Sequence, residues 1–175
     1  MKLSHLAETL IGSEIIKLAG EIKEKQAKGE KIYNFTIGDF DPKVFPIPAE
    51  FEQEIVAAYK EGLTNYPPAD GILDLRKAVS EFIAEHEQLT YDPAKEIVIS
   101  CGGRPIIYAT FRTILDRGEK VVYATPSWNN NHYTHFLEAE HVVLETKPEN
   151  DFMPTAAELE PLLKGATLLA LCSPQ

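Results

Sequence analysis

From residue 97 onward, short apolar runs alternate with segments of helical periodicity, and this alternation constrains the fold more than any other feature. The apolar runs fall near residues 97–100, 120–124, 140–145 and 166–171, and the helical segments near residues 105–116, 128–138 and 155–163. Such spacing is typical of right-handed crossovers that join parallel strands. The last run is apolar throughout, which favours a strand inside a sheet with both faces covered. The sequence therefore predicts an α/β protein with a mostly parallel sheet.

The first half of the chain is expected to be mainly helical. Helices are predicted near residues 14–28, 49–61 and 72–86, with a short strand at 33–37. Gly29 and Gly62 lie where a glycine would end the first two of these helices. The second helix has an apolar face that is expected to point inward, formed by Phe51, Ile55, Val56 and Tyr59.

Two glycines separate the apolar run at 97–99 from the helix that follows, in the sequence Ser100-Cys101-Gly102-Gly103-Arg104-Pro105. Glycine lets the backbone approach a ligand closely, and a helix N-terminus offers unpaired N–H groups. This combination predicts an anion site, most often for phosphate, and the alternative is an ordinary tight turn. Pro105 is expected at the first helical position, where it would keep Arg104 outside the helical region.

Trp128 is the only tryptophan, and it follows the apolar run at 120–124 in the turn Thr125-Pro126-Ser127-Trp128. Both this turn and the Gly102-Gly103 turn leave the carboxyl ends of predicted strands, where ligands bind in open α/β sheets. A phosphate at one strand end and a flat aromatic ring at another favour a phosphorylated planar ligand. The alternative is that Trp128 is a packing residue.

Further motifs follow one another in the order found in one enzyme family. They are Ser13 with the helical stretch 15–27, Phe35-Thr36-Ile37-Gly38-Asp39, the run 62–76 that fits Gly-x-x-x-Tyr-x-x-x-x-Gly-x-x-x-Leu-Arg, the Gly102-Gly103 turn, Asp116-Arg117-Gly118-Glu119, Pro126-x-Trp128, and Leu169-Ala170-Leu171-Cys172-Ser173-Pro174-Gln175. The chain resembles the amino-terminal part of fold-type I pyridoxal-phosphate enzymes, the class I and II aminotransferases of the aspartate aminotransferase superfamily. The resemblance implies a three-layer α/β/α large domain, here incomplete, preceded by an N-terminal helical segment.

The resemblance also implies a cofactor, pyridoxal 5'-phosphate, and the residues that hold it. Backbone N–H groups at Gly102, Gly103 and Arg104 match those that bind the phosphate. Trp128 matches the aromatic residue that stacks on the pyridine ring. Tyr66 matches the tyrosine that reaches the cofactor phosphate of the neighbouring subunit, so a homodimer is expected.

Substrate recognition is expected at two of the matched positions. Gly38 resembles the glycine whose backbone lies against the substrate carboxylate. Arg104 stands where some relatives carry a lysine that meets the distal carboxylate of an acidic substrate, and simple neutralisation of the phosphate is an equally weighted alternative. Ile15 replaces a hydroxyl residue of those relatives, and Asn131 replaces a tyrosine. Both departures change the expected pocket.

The family's Schiff-base lysine matches no position in this chain, so the sequence is expected to be the first part of an aminotransferase, ending at Gln175. The predicted domains are an N-terminal helix and arm, residues 1–48, and the first part of the cofactor-binding domain, residues 49–175. Transamination between an amino acid and a 2-oxo acid is the leading hypothesis. The alternatives are a carbon–sulfur lyase of the same superfamily, a non-catalytic binding protein, and, less favoured, a mononucleotide-binding domain, whose glycine signatures are missing.

Composition excludes several other classes. The net charge of −10 argues against a nucleic-acid surface, and no apolar run is long enough to span a membrane. Cys101 and Cys172 end apolar runs and are expected to be buried thiols of a cytoplasmic protein. The histidines lack a metal-binding spacing, and the pair His132 and His135 is expected to lie on a polar helix face.

Overall fold

The computed structural model describes residues 2–36 and 38–173, and within them it contains helices of very different lengths and one small sheet. The helices are α1 (His5–Glu8), α2 (Glu14–Ala27), α3 (Ala49–Lys60), α4 (Leu73–Glu87), α5 (Gly103–Ile114), α6 (Asn130–Phe136) and α7 (Ala156–Leu159), with a 3-10 turn at Pro148–Asn150. The strands are β1 (Lys120–Thr125), β2 (Glu140–Glu145) and β3 (Ala166–Ala170). No described helix has the length and apolar character needed to cross a membrane.

The chain divides into two compact units. One, called here the sheet unit, combines residues 1–11 with residues 100–175, and the other, the helical unit, comprises residues 12–99. The division of the sequence at residues 48 and 49 into an arm and a cofactor-binding domain stays a prediction.

The sheet unit is built on three parallel strands in the order β2-β1-β3. Lys120 lies opposite Glu140 and Thr125 opposite Glu145, so β1 and β2 pair along their whole length. Helix α6 connects these two strands, and α7 lies between β2 and β3 in sequence. The alternation of strands and helices therefore produces the predicted α/β fold with a parallel sheet.

The core of the sheet unit is centred on β1. Four consecutive residues of this strand, from Val121 to Ala124, are buried, so both of its faces are covered. One face packs against the ends of α5 and α6 in a cluster formed by Phe111, Leu115, Val121, Tyr123, Tyr133, Leu137 and Ala139. The unbroken burial follows from the central position of β1, with a strand on each side.

The helical unit contains the three predicted long helices but not the predicted packing of α3. Gly29 and Gly62 follow α2 and α3 with φ of 88° and 74°, which confirms the two glycine stops. The α3 face that was expected to point inward is exposed, however, with 38–70% of each apolar side chain accessible at Phe51, Ile55, Val56 and Tyr59. Helical periodicity identifies an apolar face, but it does not identify what covers that face.

Two predicted strands are absent from the described residues. Residues 97–100 form no strand, and the Ile99 N–H instead donates to the Asp70 carbonyl at 3.0 Å. The predicted strand at 33–37 is unpaired over residues 33–36, and Ile37 lies outside the described residues. An apolar β-branched run favours extended backbone, but a strand also needs a partner at its edge.

The expectation of buried thiols is wrong. Cys101 and Cys172 are both exposed. Each lies in a loop beyond the end of an apolar run and not within a paired strand, so the burial of the run does not extend to the thiol.

Candidate cofactor site

The turn in which an anion site is predicted precedes α5. Gly102 caps this helix with φ 100° and ψ 167°, a backbone conformation that is essentially restricted to glycine. No side chain caps the helix, so the N–H groups of its first turn remain directed outward at its positive end. The predicted glycine turn before a helix is therefore present, and binding of an anion there stays a prediction.

The position of Pro105 differs from the prediction. The helix begins at Gly103, so Pro105 is the third helical residue and Arg104 lies within the first turn. Proline is tolerated there because the N–H that it lacks would have had no partner in the helix. Arg104 is therefore helical, and the expectation that proline excludes it from the helix is wrong.

The Cβ positions of the two glycines in the turn are open. A Cβ atom added at Gly102 or at Gly103 would meet no other atom within 4 Å. By contrast, a Cβ added at Gly71 would lie 2.6 Å from the side chain of Ile99. The glycines of the turn thus leave room for a ligand, and their outward N–H groups are suited to a phosphate. The residues present fit the phosphate of the implied cofactor.

Arg104 adds a positive charge to this helix end. Its side chain is exposed, and within residues 2–36 and 38–173 no carboxylate lies at ion-pair distance from it. A cation near a helix N-terminus is mildly unfavourable by itself, and a bound anion reverses that effect. The local electrostatics therefore favour an anionic ligand.

Trp128 belongs to the same unit and follows the carboxyl end of β1. A cis Thr125–Pro126 peptide bond turns the chain, and Asn129 at φ 56° precedes α6. Trp128 is 48% exposed, far more than the residues of the core around β1. About half of Trp128 is thus accessible for contact with a ligand, and the choice between a stacking role and a packing role stays a prediction.

The other two predicted site residues lie in the helical unit. Tyr66 is completely exposed in the loop between α3 and α4. Gly38 is exposed between α2 and α3, and an added Cβ there would meet nothing within 4 Å. Their proposed contacts with cofactor and substrate stay predictions.

Histidines form a second polar cluster that sequence reasoning did not assemble. His132 and His135 on α6 donate from Nε2 to the carbonyls of Ile11 and Leu6, each at 3.0 Å. A cavity of about 250 Å³ lies beside these contacts, lined by Thr9, Leu10, Ile11, Asn131, His132, His135 and His141. The partners are more than 120 residues apart in sequence, so no local pattern could have revealed them.

His141 has a buried partner, because its Nδ1 lies 2.9 Å from the hydroxyl of Tyr123. Burial raises the pKa of the Tyr123 phenol, so the hydroxyl stays protonated and donates to the neutral imidazole. Partial burial of the imidazole and, secondarily, the charge of His135 lower the pKa of His141.

Acidification should therefore destabilise the protein through His141. As the pH falls through about 6.5, the unfolded chain binds this proton before the folded protein does, so the free energy of unfolding decreases. This loss of stability is complete once the pH lies below the lowered pKa that His141 has in the folded protein. Urea denaturation at several pH values measures this effect. Between pH 7 and pH 5, the free energy of unfolding should depend less on pH in His141→Gln than in the wild type. If the free energy of unfolding depends on pH equally in the variant and the wild type, His141 is not the source of the effect.

Comparisons with known proteins point to one enzyme family. Residues 30–175 match the family model of aminotransferases of class I and II. The chain is 32% identical over 127 residues to a probable aspartate/prephenate aminotransferase of Aquifex aeolicus, covering 73% of this chain and 30% of the relative. It is 29% identical over 160 residues to an aspartate aminotransferase of Thermotoga maritima, covering 91% and 41%.

A solved structure shows the same fold. The aspartate aminotransferase of Thermus thermophilus with maleate superposes with a TM-score of 0.87 at 26% identity, over 100% of this chain and 45% of that one. The chain thus spans less than half the length of these relatives. The family match over most of the chain, together with the fold, shows that this chain belongs to the class I and II aminotransferases.

Proposed function

We propose that the complete protein is a pyridoxal-phosphate-dependent aminotransferase that transfers an amino group between an amino acid and a 2-oxo acid. The observation that carries this proposal is the uncapped start of α5, with Gly102 in a glycine-only conformation and the Cβ positions of both glycines open. Membership of the family supplies the reaction class. We further propose that the protein acts in the cytoplasm as a homodimer, in which the fully exposed Tyr66 reaches the neighbouring subunit's cofactor.

The residues of this chain hold and orient the cofactor. Backbone N–H groups of Gly102, Gly103 and Arg104 bind the phosphate, and the helix dipole of α5 adds to their attraction. Trp128 stacks on the pyridine ring and fixes its plane. When bound, pyridoxal phosphate supplies an electron sink for the bond that breaks at the substrate Cα.

We propose an acidic amino acid as the donor. The relatives in the comparison are named as aspartate or aspartate/prephenate aminotransferases, and Arg104 presents an exposed guanidinium with no ion-pair partner among the described residues. Guanidinium groups bind carboxylates strongly because they offer paired N–H donors. For Gly38 we propose the role that the resemblance implies, a backbone contact with a substrate carboxylate.

The proposal is tested by replacing Trp128 in the complete protein. Trp128→Ala should weaken pyridoxal-phosphate binding about five- to tenfold, since stacking contributes about 1 kcal/mol. Trp128→Phe retains a stacking surface and should lose less. Absorbance titration measures binding, and amino transfer from aspartate to 2-oxoglutarate measures activity. The thermal unfolding temperature should change little because Trp128 is half exposed.

Two outcomes would contradict the proposal. A wild-type protein that neither binds pyridoxal phosphate nor transfers amino groups would exclude the function itself. Global unfolding of Trp128→Ala would instead show that this residue is part of the core and would remove only its stacking role.

A further inference from the structure

Arg76 is the only buried charged residue among those that the structure describes. It lies on α4, and its side chain is only 9% exposed. A guanidinium removed from water is stable only when its N–H groups are satisfied. The hydrogen-bond partners of Arg76 therefore indicate its role in the folded protein.

These partners belong to two segments outside α4. The Nε group donates to the Gly71 carbonyl at 3.2 Å, and one terminal nitrogen lies 2.9 Å from the carboxylate of Asp70. That nitrogen also donates to the carbonyls of Pro93 and Ala94 at 3.0 and 3.2 Å. Arg76 thus joins the end of the loop that carries Tyr66 to the segment that leads toward Ile99.

The contacts continue from Arg76 back toward Tyr66. The Gly71 N–H donates to the Pro68 carbonyl at 2.9 Å, which closes a turn. Pro67 and Pro68 fix their own φ angles, so little freedom remains between this turn and Tyr66. The phenol itself is fully exposed and has no packing of its own to orient it.

Asp70 and Gly71, which together with Arg76 are called here the Arg76 node, also contact Ile99. The Ile99 N–H donates to the Asp70 carbonyl at 3.0 Å, and Gly71, with φ 96°, approaches the Ile99 side chain so closely that a Cβ would lie 2.6 Å from it. Ile99 is three residues before Gly102 in the chain. Asp70 and Gly71, held by Arg76, therefore restrain the loop of Tyr66 and are themselves packed against Ile99.

We propose that Arg76 is a positioning residue for cofactor binding, which acts through the loop 66–71 to hold Tyr66 in place. This inference rests on the proposed function, in which Tyr66 contacts the phosphate. Lysine cannot replace arginine here, since a single ammonium cannot reach the Gly71 carbonyl, the Asp70 carboxylate and the 93–94 carbonyls together.

A double-mutant cycle in the complete protein tests the proposal. Tyr66→Phe removes the phenol and should raise the dissociation constant of pyridoxal phosphate about tenfold, the effect of one charge-assisted hydrogen bond. Arg76→Lys should raise it to a similar extent. The double variant should bind no more than about twofold more weakly than Tyr66→Phe, because the two residues act as a unit.

A second readout needs no cofactor. Hydrogen exchange in the cofactor-free protein should be faster in Arg76→Lys at the amides of Gly71 and Ile99, because their acceptors, the Pro68 and Asp70 carbonyls, lie in the loop that Arg76 holds. Arg117→Lys is the matched control, since Arg117 pairs with Glu138 at 2.6 Å on the surface and its side chain is 78% exposed. This control should change neither binding nor exchange at those amides.

The outcomes separate this inference from the proposed function. Additive effects, with the double variant about a hundredfold weaker, would overturn the positioning role and leave Arg76 a general structural residue. No effect of Tyr66→Phe in a protein that binds the cofactor would also overturn it, without touching the proposed function. If Arg76→Lys does not fold, Asp70→Asn removes only the ion pair and must show the same non-additivity with Tyr66→Phe.

Discussion

Replacing Gly102 by alanine should weaken pyridoxal-phosphate binding about tenfold or more and lower the stability of the protein. The residue has φ 100° and ψ 167°, where a side chain costs about 1–3 kcal/mol of backbone strain. Relief of that strain requires a different turn, which redirects the N–H groups at the start of α5. Titration of the complete protein with pyridoxal phosphate, together with urea denaturation of the cofactor-free form, measures both effects.

Gly103→Ala is the matched control for this prediction. Gly103 is the first residue of α5, has no positive φ, and would accommodate a Cβ without contact within 4 Å. Alanine favours helix, so the free energy of unfolding should stay within about 0.5 kcal/mol of the wild type. Equal losses of stability in the two variants would contradict the assignment of strain to Gly102. Weaker binding by a stable Gly103→Ala protein would show that its Cβ occupies the ligand's space.

The bounds of the three paired strands could be predicted from the sequence because the apolar pattern of each strand is local. β2 has the predicted bounds, and β1 and β3 differ from prediction by one residue at one end. The run at 97–100 carries the same apolar pattern as β1, yet it forms no strand. The difference is its surroundings, since β1 has a strand on each side while Ile99 is held by one hydrogen bond to a loop. Pairing depends on residues far away in the chain, and no window of sequence contains it.

The residues of the candidate site likewise fall into two groups, those that a local sequence pattern predicts and those that depend on distant contacts. Gly102 and Trp128 were identified because a glycine before a helix and an aromatic residue after a strand are patterns of a few residues. The Arg76 node was not identified from the sequence, although Arg76 ends the Leu-Arg motif. The partners of Arg76 at residues 70–71 and 93–94 are brought together only when the loops fold. The position of Pro105 was wrong by two residues because helix starts are not sharply encoded when the cap is a glycine.

Arg104→Ala should reduce the turnover of an acidic amino donor about ten- to a hundredfold more than that of a neutral one. A charge-assisted hydrogen bond to a distal carboxylate contributes about 1.5–3 kcal/mol, and a neutral donor forms no such bond. The measurement compares kcat/KM for aspartate and alanine at saturating pyridoxal phosphate. Arg112→Ala, at an exposed arginine in the last turn of the same helix, is the control and should leave the ratio unchanged.

The opposite result has an equally definite meaning. If Arg104 only neutralises the phosphate, then Arg104→Ala lowers turnover of both donors alike, and excess cofactor restores much of the activity because the defect is in cofactor binding. The ratio of the two kcat/KM values then remains that of the wild type. Such a result would exclude Arg104 as a determinant of acidic-substrate specificity while retaining it at the phosphate, where the unpaired guanidinium at the start of α5 already favours an anion.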